Sequence, residues 1–345
     1  MKTIVVALAL VVFTLGVVVG CAAPAPTPAP APEGTTYHWR WYGMNPTDHY
    51  DYQLAVETVK EIEENSDGRI IIDVYPAGQL GDWIAAYEQI LRGAIDIGCL
   101  PVATQYDPRG EFIYMPYLAT SYDKYEEIFA QGGTMASLVD MIIEPQGIKQ
   151  LGVSSTGLGC IMLTREVASS ADPDVDKTNV KIRVPPGFKL YEELAKFFGY
   201  NTASIPGAEI YMAEQTGVVE GHIGYPTGSA YRMARDVIKM CVQTNDHFEA
   251  NFFLMNLDLW NSLSNQDQEI MANALDKNMS KSFDICLEDQ EHLLREVMPA
   301  EGIQVVEPSE AELQILAERV RKEVWPVAKD RIGEFLYSKL EELVD

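Results

Sequence analysis

The apolar positions of this chain keep switching period. Tyr37–Gly43 (YHWRWYG), Ile70–Pro76 (IIIDVYP) and Ala94–Pro101 (AIDIGCLP) are short runs rich in β-branched and aromatic residues, the length and composition of strands. Between the first two, Leu54, Val56, Val59 and Ile62 recur near helical spacing and Ser66-Asp67-Gly68 closes the pattern. That predicts a helix with Pro46 in its first turn. Asp82–Gly93 (DWIAAYEQILRG) predicts a second helix, ended by Gly93. Strand, helix, strand, helix, strand argues for a mostly parallel sheet covered by helices.

The same reading places helices over 123–144 and strands at Ile148–Ser155 and Gly159–Thr164. It places another strand at VKIRVP (180–185), helices at FKLYEELAKFFG and PGAEIYMAEQTG, and short strands in VVEGHIGYP and VIKMCVQT. NFFLMNLDLW is a strand entering a helix at 257–263. Ser264-Asn-Gln-Asp267 has the form of a capping box and opens a long helix towards Val297. The fold class expected is α/β: a two-lobed, periplasmic-binding-protein-like fold with an interlobe cleft and a long helix spanning both lobes. Residues 35–154 with about 245–285 would form lobe I. Residues 155–244 with about 286–345, including the C-terminal helices, would form lobe II. Clefts between lobes are favoured ligand sites.

Composition narrows the function. The 345 residues carry 51 acidic and 26 basic side chains, a formal net charge of -25. Phosphate binding needs a basic face, so this balance argues against a nucleic-acid partner. Lys2 and the run IVVALALVVFTLGVVVG, ending at Cys21, have the parts of an export signal. Val18-Val19-Gly20-Cys21 resembles the bacterial lipobox, in which the cysteine is lipidated. Residues 1–20 are then a lipoprotein signal peptide, and residues 21–34 the lipidated Cys21 with a Pro/Ala tether, AAPAPTPAPAPEG. Such a tether stays extended. The expected location is extracytoplasmic, on the cell surface or in the periplasm, anchored to a membrane through that lipid. Cys99, Cys160, Cys241 and Cys286 are far apart without a C-x-x-C pair; no metal site is expected, and no cofactor.

Catalytic signatures are absent. There is no G-x-S-x-G, P-loop, G-x-G-x-x-G or H-E-x-x-H, and the five histidines form no short-spaced pair. A surface-anchored hydrolase stays open only as a site assembled in three dimensions.

Five stretches occur in order: GRIIIDVYPAGQLGD, RGAIDIG, VKIRVP, IPGAEIYMAEQTGVVEG and MNLDLWNSLSNQDQEIMANA. Together they resemble the DctP family of TRAP-transporter solute receptors over about residues 37–310. The resemblance implies a two-lobed receptor that closes over a small organic acid and hands it to the small and large membrane subunits of an ion-gradient-driven permease. A receptor for another transporter or a sensor is the alternative. It also implies that Arg183 of K-h-R-h-P (h, hydrophobic) clamps the ligand carboxylate, a role suited to a planar fork of donors. Strand period places Lys181 beside Arg183 on one face. The other reading of Arg183 is a structural salt bridge.

The chain departs from the family pattern at the site. A second arginine usual on the preceding strand falls near Gly159 or Cys160 here; an asparagine usual after Asp-Gly falls near Gly224; Glu214 stands where Leu is usual. Polar clamps replaced by small residues imply a monocarboxylate or another weakly hydroxylated acid. Further cleft candidates are Trp41 and Tyr42 (with core packing open for Trp41), Gln105, Gly207, His222, Tyr225 and Asn256, the last either a ligand donor or a helix cap.

Overall fold

The computed structural model describes residues 34–344. The export segment, Cys21 and all but the end of the tether lie outside the described residues. The chain runs β1 (Tyr37–Gly43), α1 (Tyr50–Asn65), β2 (Ile70–Tyr75), α2 (Trp83–Leu91) and β3 (Ile97–Leu100). A 3-10 segment (Pro108–Tyr114), α3 (Tyr122–Phe129), α4 (Thr134–Ile143), β4 (Ile148–Leu158), β5 (Ile161–Leu163) and β6 (Lys177–Val184) follow. Then come α5 (Lys189–Phe197), β7 (Tyr200–Ser204), α6 (Ile210–Gln215), β8 (Gly221–His222), α7 (Thr227–Ala234), β9 (Met240–Val242) and β10 (Phe248–Asn256). The chain ends with α8 (Leu257–Ser262), α9 (Asn265–His292), α10 (Met298–Ala300), β11 (Gln304–Val306), α11 (Glu310–Glu323), α12 (Lys329–Ile332) and α13 (Glu334–Val344).

Two sheets organise these elements. The first has the order β2-β1-β3-β10-β4, the second β11-β9-β5-β8-β6-β7. Strands β1, β2 and β3 pair in parallel, while β10 runs antiparallel to both β3 and β4. The first sheet is therefore mixed, because β10 returns from the second lobe. The chain passes between sheets at 159–160, after β4, and at 243–247, before β10. These crossings touch: the Gly159 N–H donates to the His247 carbonyl at 2.8 Å.

The third crossing is α9. Ser264 caps its start, its hydroxyl accepting from the Asp267 N–H at 3.1 Å. Lys277 and Lys281 tie it to Glu61 and Glu57 on α1, at 2.9 and 2.8 Å. Near its other end Asp289 pairs with Arg232 of α7 at 2.6 Å. A single π turn, Leu293–Val297, carries it on, and Leu293 and Leu294 join Cys160, Tyr231 and Cys241 in a core of the second lobe.

Five sequence expectations change. Helix α1 begins at Tyr50, so Pro46 lies ahead of its first turn, and His49 caps it, its ring accepting from the Asp51 N–H. Strands β7 and β11 and helix α7 were not expected. The C-terminal helices do not stay with the second lobe. Trp325 Nε1 donates to the Pro116 carbonyl at 2.8 Å and Arg331 pairs with Glu111 at 2.5 Å, both in the first-lobe stretch after β3. Arg319 of α11 meanwhile lies over the Phe197 ring of α5, 5.1 Å from its centre. The C-terminal stretch thus straps one lobe to the other. No helix among the described residues is long and apolar enough to cross a membrane.

Candidate functional site

A cleft of about 770 Å³ opens between the two sheets, within the range of small-ligand pockets. Its lining follows from topology. Met44 lies just past β1, Pro101–Gln105 just past β3, Pro185–Gly187 just past β6, and Pro206 and Gly207 just past β7. Parallel strands aim their carboxyl ends at one edge, and the cleft lies outside that edge. Trp83, Val102, Phe188, Tyr114, Tyr191 and Tyr225 make most of the wall apolar and aromatic.

Arg183, one residue before the end of β6, reaches this cleft and is 2% exposed. Its Nε donates to the Ile205 carbonyl at 2.7 Å and its Nη1 to the Ile223 carbonyl at 3.2 Å. Its guanidinium lies 5.2 Å from the centre of the Tyr225 ring, a cation–π distance. Among the described residues no carboxylate forms an ion pair with it. Burial pulls its pKa below the ordinary arginine value, against the opposing pull of Tyr225, Tyr191 and Glu214. A buried charge without a counter-ion is costly, so this geometry is poised for an anion.

Other charged groups reach the cleft from places the sequence did not flag. Glu249, at the start of β10, lines it, and so do Glu111 and Arg331. Arg331 is the second cleft guanidinium, but Glu111, itself buried, neutralises it. Burial raises the Glu111 carboxyl above the ordinary range, although Arg331 pulls it back.

The sequence candidates separate into two groups. Arg183, Gln105, Gly207, Gly224 and Tyr225 come together at the cleft. Gly207 fits there for a steric reason, since a Cβ on it would sit 2.3 Å from the Tyr225 hydroxyl. Gly224 has φ +91 and packs on Pro185. The others lie elsewhere. Lys181 is exposed, two residues back along β6, and outside the cleft wall. Trp41 packs edge-on against Phe253, and Tyr42 lies in the first-lobe core, where burial near Asp82 pushes its hydroxyl up to about 12. Cys160 is fully buried in the second-lobe core. Gly159 lies in the crossing, where a Cβ would come 2.1 Å from His247 Nδ1, so only glycine fits beside the second crossing strand. His222 is fully buried and bonds Glu214 through Nδ1 at 2.7 Å. Asn256 caps α8 by accepting from the Leu259 N–H at 3.1 Å and donates to the Ile90 carbonyl.

Two lobes, three crossings and a cleft holding one buried, uncompensated cation are the construction of a ligand-capturing binding protein. Residues 43–330 match the sequence profile of DctP, described as "Bacterial extracellular solute-binding protein, family 7", and the chain belongs to that family. It is 27% identical over 302 residues to the sialic acid-binding periplasmic protein SiaP of Vibrio cholerae, covering 84% of this chain and 88% of that one. It is 22% identical to the ectoine-binding periplasmic protein TeaA of Halomonas elongata, covering 82% and 81%. In fold it is similar to a TRAP periplasmic solute-binding protein from Desulfovibrio salexigens with bound orotic acid (TM-score 0.75, 20% identity, 90% and 99% of the two chains). It is similar also to one from Chromohalobacter salexigens with bound D-glucuronate (TM-score 0.74, 19% identity, 88% and 99%).

Proposed function

We propose that this protein is an extracytoplasmic receptor that captures a small organic acid by lobe closure and passes it to a TRAP-type permease of two membrane subunits. Cys21 would carry the lipid that keeps it at the membrane. The supporting observation is Arg183: a buried guanidinium in the interlobe cleft, fixed by two carbonyls and a ring, with no acid paired to it among the described residues. A ligand carboxylate supplies the missing counter-charge bidentately.

The relatives weight the class of acid towards sugar acids, since similar proteins are named for sialic acid or hold D-glucuronate. One observation favours a less hydroxylated acid as the second reading. The wall of Met44, Trp83, Val102 and Phe188 offers few partners for a ring of hydroxyls. A thermal-shift panel of sugar acids, aromatic acids, dicarboxylates, 2-keto acids and monocarboxylates tests both readings. A ligand at 100 times its Kd raises stability by about 2.7 kcal/mol. A shift for some acid that vanishes in Arg183→Ala supports the receptor reading. Turnover of any of them, or a shift unchanged in that variant, counts against it.

A further inference from the structure

Glu249 is the cleft group that the receptor reading leaves without a task. It is the second residue of β10. Its neighbours Phe248 and Ala250 are buried in the core, at 1% exposure each, so strand alternation turns Glu249 to the opposite side, where it lines the cleft. A register shift in the β4–β10 pairing falls between Glu249 and Ala250, and such irregularities re-aim side chains. The backbone there is held, because the Thr156 hydroxyl donates to the Glu249 carbonyl at 2.8 Å.

Its carboxyl oxygens have no hydrogen bond or ion pair among the described residues. His247, two residues back, has Asp246 as its paired carboxylate, at 3.3 Å. The side chain is half-buried, and that burial raises its carboxyl above the ordinary range, with His247 pulling the other way. Glu249 is thus a half-buried carboxyl at the cleft wall with no protein partner among the described residues, free to take one from a ligand.

The surroundings select among possible partners. Tyr114, Tyr191 and Tyr225 line the same cleft, and the charge on Glu249 reaches all three. Phe188 lies 5.6 Å from the Tyr114 ring and 6.2 Å from the Tyr191 ring, centre to centre. Aromatic faces around a carboxylate attract a cation. The other cleft cation, Arg331, is already taken by Glu111. Arg183 belongs to the second sheet and Glu249 to the first, so the two uncompensated charges face the cleft from opposite lobes.

We propose that Glu249 is a second ligand-contact group and that the cleft takes a zwitterion, an acid whose carboxylate meets Arg183 on one lobe and whose protonated or quaternary nitrogen meets Glu249 on the other. This rests on the receptor reading and adds to it the class of solute. A simple dicarboxylate would set its second charge against Glu249. A sugar acid would leave the carboxylate and its aromatic surround facing hydroxyls.

The test is calorimetric titration of the purified protein with probes differing only in the nitrogen: L-proline and its N,N-dimethyl betaine against cyclopentanecarboxylate. Pipecolate against cyclohexanecarboxylate, with ectoine, D-glucuronate and succinate, completes the set. The expected result is binding at least about tenfold tighter for the nitrogen-bearing member of each pair. That preference should be lost in Glu249→Gln while affinity for the nitrogen-free member is retained. Equal or tighter binding of the nitrogen-free or sugar acids, dependent on Arg183 and indifferent to Glu249→Gln, overturns this inference and leaves the receptor reading standing. Failure of every acid to bind overturns both. The pairwise comparison in the unmodified protein decides the matter even if the Gln variant folds poorly.

Discussion

The guanidinium of Arg183 rests 5.2 Å from the centre of the Tyr225 ring, and the Tyr225 hydroxyl abuts Gly207 on the next strand's exit. One ring therefore joins the charge to the cleft rim. Replacing Arg183 by Lys keeps a positive charge but removes the fork that bonds two carbonyls and that the proposed function gives to a ligand carboxylate. Arg183→Lys is expected to fold, with ligand affinity down by about tenfold or more, read by calorimetry on whichever acid the panel identifies. Undiminished affinity would show that point charge alone suffices.

Gly207→Ala places a methyl group 2.3 Å from the Tyr225 hydroxyl, and the ring must move. The shift should disturb the stacked Arg183 and weaken ligand binding by roughly tenfold. Tyr225→Phe in the same chain removes the colliding atom and should restore most of the loss. A double variant no better than Gly207→Ala would place the effect in the backbone instead.

His222 and Glu214 form a fully buried pair at 2.7 Å. Glu214→Leu restores the residue usual in the family pattern but leaves the imidazole without its partner. Thermal or denaturant unfolding should show a loss of about 1–3 kcal/mol. Ligand affinity should stay close to that of the unmodified protein, since neither side chain lines the cleft. A large loss of affinity with unchanged stability would return His222 to the site.

Burial raises the Glu249 carboxyl in the folded state. The folded protein thus holds that proton more tightly than the unfolded chain. The resulting stabilisation is fully present below the ordinary glutamate value, 4.5, and is lost as pH rises through the raised folded value. In ligand-free melts, Glu249→Gln should therefore gain on the unmodified protein as pH rises from about 4.5 to neutrality. His247 is also held above its ordinary value, since Asp246 and Glu249 outweigh the lowering effect of its burial. It adds a slope of the same sign only above its ordinary value, 6.5, so the difference between the two proteins below that pH carries the information. A constant difference across that range would refute the raised carboxyl.

Much of the scaffold was legible because its strands are apolar and β-branched: β1, β2, β3 and β6 lie where the pattern put them. β7 (YNTAS) hides because most of its side chains are polar or half-exposed. Helix α7 hides because it buries small residues, Thr227, Ala230 and Ala234, beside one tyrosine. At the site, Arg183 stood out as a cation between valines and prolines. Trp41 and Tyr42 lie inside β1 and pack into the cores, while Met44, just past its end, lines the cleft. Glu249 and Arg331 could not be found from local pattern. One is a single acid among 51 and the other sits on a C-terminal helix, and only the returning strand and the strap bring them to the ligand side.

The side-by-side crossings at Gly159 and His247 would act as a fulcrum if the lobes close as proposed. Glu249 sits two residues beyond His247, close to the pivot rather than out along the lobes. Near a fulcrum, a small tightening at the ligand becomes a large sweep at the far rims. On the receptor reading proposed above, the distant surfaces would then report occupancy to a membrane partner through a displacement much greater than the one made at the bound solute.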